Sequence, residues 1–168
     1  MNTGFVSERL HQYPGLRQES EIKGSIRKTL MIYYNDPDGS EGETMPINLT
    51  SVDELEDTIA NNDIVLIDFW ADWCGPCKMF GPIYEKISEK YPEAVFAKCN
   101  TEEAQSLAAA FGIQSIPTLA IFREKIMVFK QPGALPEATL DELISKVKTL
   151  DMEEVRAKIA EQQQQQAS

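Results

Sequence analysis

Residues 45–150 are predicted to form an α/β domain, a central mixed β-sheet with helices on both faces in a three-layer α/β/α sandwich. Three observations carry this. Ile64-Val65-Leu66-Ile67 is apolar without alternation, the pattern of a strand covered on both sides. Stretches with apolar residues at helical spacing alternate with short runs rich in β-branched and aromatic side chains. Arg123-Glu124-Lys125 separates two such runs closely enough for a hairpin turn.

Taken in order, Pro46-Ile47-Asn48-Leu49 is a short first strand. Ser51-Val52-Asp53-Glu54 is a capping box opening a helix to about Ala60, with Val52, Leu55 and Ile59 on one face. The apolar strand from Ile64 runs into a second helix reaching about Tyr91, whose stripe is Phe80, Ile83, Tyr84 and Ile87. Gly81-Pro82 inside that stripe predicts a kink. Val95–Asn100 is a strand, and Glu102 to about Phe111 a short helix closed by Gly112. Thr118–Phe122 and Ile126–Lys130 are the hairpin strands, and Pro132-Gly133 ends the second. Leu140, Leu143, Ile144 and Val147 mark a helix ending near Leu150. Asp151 with Glu154 can cap a further helix, and the low-complexity Gln162–Gln166 is expected to fray.

Residues 1–44 are polar, with no sustained period and a turn signal at Asn35–Gly39. They read as a poorly ordered extension; Thr29–Tyr34 is its one strand-like run, the alternative being a regulatory or partner-binding arm. Residues 151–168 read as a helical extension with a Gln-rich tail.

The 168 residues carry a net charge of −11, and residues 45–150 alone hold 16 acidic against 9 basic side chains. Phosphate neutralisation is therefore a poor reading, and no nucleic-acid partner is expected. No stretch approaches membrane-spanning length or a signal-peptide core, so the expectation is a cytoplasmic protein without a membrane partner, read as a monomer. Three cysteines cannot form a disulfide framework, which suits a reducing compartment.

Two of those cysteines stand in Trp73-Cys74-Gly75-Pro76-Cys77-Lys78, at the junction of strand and helix. At a helix N-terminus, unpaired N–H groups and the helix dipole favour an anion, which predicts a lowered pKa and a nucleophilic thiolate at Cys74. Cys77, one turn further in and expected to be less exposed, can attack a mixed disulfide formed on Cys74. Zinc sites share the Cys-x-x-Cys spacing but need four ligands, and Cys99 and His11 supply no second ligand pair, so no metal is expected.

The Val65-Leu66-Ile67-Asp68-Phe69-Trp70 strand followed by Trp-Cys-Gly-Pro-Cys-Lys resembles the thioredoxin family, and Lys98, Ile116-Pro117-Thr118 and Gly133 fall in the family's order. The resemblance covers roughly Met45 to Leu150 and implies the thioredoxin fold. It implies a protein-disulfide reductase and electron carrier acting by dithiol/disulfide exchange at Cys74 and Cys77. Asp68 would assist proton transfer involving Cys77, with Lys98 its neighbour on the adjacent strand. Trp73, Gly75, Pro76, Ile116, Pro117 and Gly133 would form the substrate-binding surface, with the Ile116–Pro117 bond cis and a backbone N–H and C=O kept free for a substrate strand. The protein would bind no cofactor. Electrons would come from NADPH through a flavin-containing thioredoxin reductase, and disulfide-containing proteins would be the substrates.

Read from the residues alone, Asp68 is either a strand end reaching solvent or a buried functional acid; the cost of burying a charge favours the second. Cys99 alternates with Lys98 along its strand and reads as a buried packing thiol rather than a regulatory one. Thr101 and Ser115 depart from the family pattern and bear on substrate preference. Two rival functions remain at this level: an oxidant or isomerase on the same fold, and a non-enzymatic binding subunit using the N-terminal extension. Proline between the cysteines, where oxidising relatives often carry histidine, argues against the first.

Overall fold

The structure is a computed structural model that describes residues 45–166. The elements run β1 (Ile47–Asn48), α1 (Val52–Asn61), β2 (Ile64–Trp70), α2 (Gly75–Lys90), β3 (Val95–Asn100), α3 (Gln105–Ala110), β4 (Thr118–Arg123), β5 (Ile126–Pro132), α4 (Glu137–Lys148) and α5 (Met152–Gln166). The expectations for residues 1–44, including the Thr29–Tyr34 strand, lie outside the described residues.

The sheet order is β1-β3-β2-β4-β5. β1, β3 and β2 are parallel, and β4 and β5 join antiparallel, so the sheet is mixed as predicted. Period-two alternation along β2 divides the core. Ile64 and Leu66 face Phe80, Tyr84, Leu140, Ile144 and Val147 of α2 and α4. Val65, Ile67 and Phe69 face Leu55 and Ile59 of α1 and Leu107 of α3. The same alternation puts Asp68 on the α2 side with Leu66, and Lys98 there with Phe96.

Side chains close the helix ends. Ser51 Oγ accepts the Glu54 amide at 3.2 Å, while the Glu54 carboxylate reaches back one residue further than a capping box requires, to the Thr50 amide at 2.8 Å. Gly112, at φ +57°, ends α3 with its amide on Ala109 O. The guanidinium of Arg123 donates to the Val147 carbonyl in the last turn of α4 and to the Leu150 carbonyl just beyond it, and Lys130 donates to the Phe111 carbonyl beyond α3.

Two expectations change. α3 starts at Gln105 rather than Glu102, because the Glu102 amide is taken by Asn100 Oδ1 at 3.0 Å and residues 101–103 turn instead. Gln162–Gln166, expected to fray, stands as helix, since α5 continues to Gln166. Asp151 Oδ1 caps it through the Glu153 and Glu154 amides, Arg156 binds Glu124 in the β4–β5 turn, and glutamine is itself a good helix former.

That turn has both central residues, Glu124 and Lys125, at positive φ (48° and 70°), as a two-residue hairpin joining Arg123 to Ile126 requires. Neither is the usual glycine or asparagine. The Glu124 amide on Asp63 O at 2.7 Å, together with the Arg156 pair, offsets part of the strain. α5 also contributes to the core: Met152 is 5% exposed and packs with Ile144 and Val147, and Val155 lies against the same cluster. Met152→Ala is therefore expected to cost about 2–3 kcal/mol of stability. Chemical denaturation would show it as a lower midpoint with an unchanged slope.

Candidate active site

β2 runs out at Trp70, and the chain turns through residues 71–73 into α2, with the Cys74 amide on Ala71 O at 3.2 Å. Cys74 is the N-cap of α2, and its Sγ accepts the Cys77 amide at 3.2 Å. Pro76 falls in the first turn, where a missing N–H costs nothing, and no acidic residue lies in that turn to oppose an anion. Cys74 and Cys77 are joined as a disulfide, with their Cα atoms 5.3 Å apart.

The expected difference in exposure between the two cysteines is absent: each is 3% exposed. Cys74 Sγ lies 3.7 Å from the Ile116 carbonyl oxygen, a packing contact since a disulfide sulfur has no hydrogen to donate. The neighbouring segment therefore covers the outer cysteine as fully as the helix covers the inner one.

The Ile116–Pro117 bond is cis. Pro117 is buried and Ile116 half-buried, while Gly75, Pro76 and Gly133 are exposed. Gly133, at φ +105°, donates its amide to Pro117 O at 2.8 Å. A Cβ on Gly133 would meet nothing within 4 Å, which leaves open space above its backbone. One rim thus gathers Cys74, Cys77, Ile116, Pro117 and Gly133.

Trp73 is 70% exposed. Its indole Nε1 donates to Glu102 Oε1 at 3.0 Å, a partner that sequence reading missed. The only available signal was position, since Glu102 follows the C-terminal end of β3, beside the strand that leads to Trp73. Thr101 docks there, its amide and hydroxyl both on Trp70 O. The Ser115 carbonyl accepts the Thr118 hydroxyl at 2.6 Å.

Asp68 is 1% exposed, and neither carboxylate oxygen has a hydrogen-bond partner. Burial pushes its pKa from 3.8 up to about 7, against the opposing pull of Lys98. Lys98 is its register partner on β3, as expected, but the ammonium hydrogen-bonds Glu85 Oε1 at 3.1 Å and lies 5.0 Å from the centre of the Trp70 ring. Cys99 is buried on the opposite face; burial, then the Asp68 charge, push its thiol up to about 12, so it is a protonated packing group. Tyr84, fully buried with its hydroxyl on Ala97 O at 3.0 Å, is held neutral by burial first and by Asp68 second.

Residues 46–146 match the family model described as Thioredoxin. The chain belongs to the thioredoxin family. A Streptomyces coelicolor protein named "Putative thioredoxin 2" is 56% identical over 122 residues, covering 73% of this chain and 90% of that relative. A thioredoxin of Porphyra purpurea is 39% identical over 104 residues, covering 61% of this chain and 97% of that relative. Among solved structures, a mutant thioredoxin from Halobacterium salinarum superposes with a TM-score of 0.61 at 38% identity, covering 67% of this chain and 98% of that one. The oxidised mitochondrial thioredoxin 3 of Saccharomyces cerevisiae gives 0.57 at 33%, covering 60% and 94%. The fold is the thioredoxin fold, and the chain is a thiol-disulfide oxidoreductase with Cys74–Cys77 as its redox-active centre.

Proposed function

We propose that this thioredoxin-family protein works in the reducing direction, as a general protein-disulfide reductase and electron carrier. The observation that carries the proposal is the pairing of Cys74, at the N-cap of α2, with a buried, unpartnered Asp68 on the strand that feeds it. In the dithiol form the Cys74 thiolate, stabilised by the Cys77 amide and the α2 N-terminus, attacks one sulfur of a substrate disulfide. A Cys74–substrate bond forms, the substrate S–S bond breaks, and the first substrate thiolate leaves. Asp68, whose pKa of about 7 suits a general base at neutral pH, takes the Cys77 proton. The Cys77 thiolate then attacks Cys74 Sγ, re-forming the intramolecular disulfide and releasing the second substrate thiolate. Two electrons pass from the cysteine pair to the substrate, leaving the pair oxidised, as it stands in the structure.

Lys98 moderates the Asp68 charge from the neighbouring strand. Trp73, Gly75, Pro76, Ile116, Pro117 and Gly133 form the surface on which a substrate segment docks, with the open space over Gly133 admitting its backbone. The protein needs no cofactor of its own: a flavin-containing thioredoxin reductase restores the dithiol with electrons from NADPH, in the cytoplasm. Residues 45–150 are the catalytic domain, and α5, Met152–Gln166, is an addition to it. The relatives and neighbours described above are all thioredoxins, which does not favour an oxidant, an isomerase or a binding subunit.

The test is coupled turnover. Insulin disulfides should be reduced with NADPH consumption when a thioredoxin reductase is supplied, and the Cys74–Cys77 potential should lie well on the reducing side of a glutathione buffer. A potential on the oxidising side would overturn the reading.

A further inference from the structure

Lys98 is shared between two carboxylates of opposite circumstance. Asp68, its register partner, is buried with both oxygens unpartnered. Glu85, on α2, is half-exposed, and it rather than Asp68 holds the ammonium, at 3.1 Å. The ammonium is further confined by the Trp70 ring at 5.0 Å, and a Cβ added at Gly81 would stand 3.9 Å from it. Its side chain is only 18% exposed, so it is walled in by α2 and Trp70 rather than free to sample solvent.

From this arrangement we infer that Glu85 is a positioning residue of the active site, holding Lys98 toward the surface and thereby keeping the buried Asp68 carboxyl short of countercharge. The inference deepens the reading of Asp68 as proton acceptor and rests on it for its functional meaning. An ammonium hydrogen-bonded to one carboxylate offers less of its field and none of that hydrogen to a second. An acceptor that must be half-ionised near neutral pH needs its countercharge rationed, because a direct ion pair with Lys98 would hold it ionised well into the acid range.

Ionisable groups reach the Asp68 region from α2 and from β3. α2 brings Glu85, Tyr84 and Cys77, and β3 brings Lys98 and, from the other face, Cys99. On the β4 side its register partner is the apolar Leu119. Tyr84 and Cys99 stay protonated at neutral pH, and the cysteine pair does not titrate when oxidised. Lys98 is thus the charged group that acts on Asp68, and Glu85 is the carboxylate that holds it.

The experiment is a carboxyl NMR titration of Asp68 in the oxidised full-length protein, for the parent, Glu85→Gln, Lys98→Met and the double variant. Glu85→Gln is expected to lower the Asp68 midpoint by about half a pH unit, roughly a threefold change in its acid constant. In the Lys98→Met background the same substitution is expected to have a much smaller effect, the non-additivity that marks action through Lys98. An unchanged midpoint in Glu85→Gln overturns the inference. So does an equal shift with and without Lys98, which would make Glu85 a remote charge rather than a positioning group. The pH profile of mixed-disulfide resolution separates the two readings. If the Asp68 midpoint moves and the resolution profile does not, Glu85 governs Asp68 as inferred and the proton-acceptor role of Asp68 fails. If both move together, both stand.

Discussion

Asp68→Asn is expected to leave a protein that is more stable above neutral pH and slower in catalysis. The folded carboxyl has its pKa raised to about 7 from 3.8, so the sign of the linkage is set. Below about pH 4 the acid is neutral in both folded and unfolded chains, and its burial costs no charge desolvation. Between about pH 4 and 7 the unfolded chain gives up the proton while the folded chain keeps it, so stability falls as pH rises. Above about pH 7 the full penalty applies, on the order of 4 kcal/mol for a shift of this size. Asparagine, similar in shape and never charged, should match the parent near pH 4 and exceed it by about that amount at pH 8. Denaturant titrations at the two pH values measure this directly; a constant difference between variant and parent would show that ionisation of Asp68 is not its cause. The same substitution removes the proposed proton acceptor, so resolution of the mixed disulfide at pH 7 should slow by roughly tenfold or more. Faster unfolding cannot explain a slower rate in a variant that is the more stable of the two.

Cys77→Ser is expected to abolish turnover and accumulate substrate proteins joined to Cys74. The nucleophile survives in its capped position at the start of α2, while the thiol that would expel the substrate is gone. Cys74→Ser should yield no such adducts. Mass spectrometry of material trapped from a mixture of disulfide proteins distinguishes the two variants, and equal adduct yields would overturn the division of roles between attacking and resolving cysteine. Loss of stability is no substitute explanation. The bridge closes so short a loop that its removal costs about 2 kcal/mol, a modest part of the stability expected of a domain this size.

The part of this protein that its sequence determined is the part built from neighbours along the chain. Trp70 to Lys78 encodes a strand end, a turn, a helix N-cap and two cysteines one turn apart, and the structure places them so. The period-two alternation along β2 and β3 put Asp68 and Lys98 on one face and Cys99 on the other, and Gly112 announced the end of α3. These readings hold because backbone geometry within a few residues is governed by local sterics and hydrogen bonds.

Tertiary structure alone decided where the long side chains end. Lys98 had Asp68 as its register partner, yet its ammonium chose Glu85 on α2. Trp73 found Glu102 across the turn, and Glu102 in turn left the helix it was expected to begin. The equal burial of the two cysteines was set by the Ile116–Pro117 segment, distant in sequence. The glutamine tail, polar enough to read as frayed, became helix because Asp151, Met152 and Arg156 anchor its first turns to the domain. In each case a flexible side chain or a marginal helix had several partners of similar energy within reach. Differences of about a kcal/mol between such partners are resolved by the packing of the whole fold, and no local pattern records them.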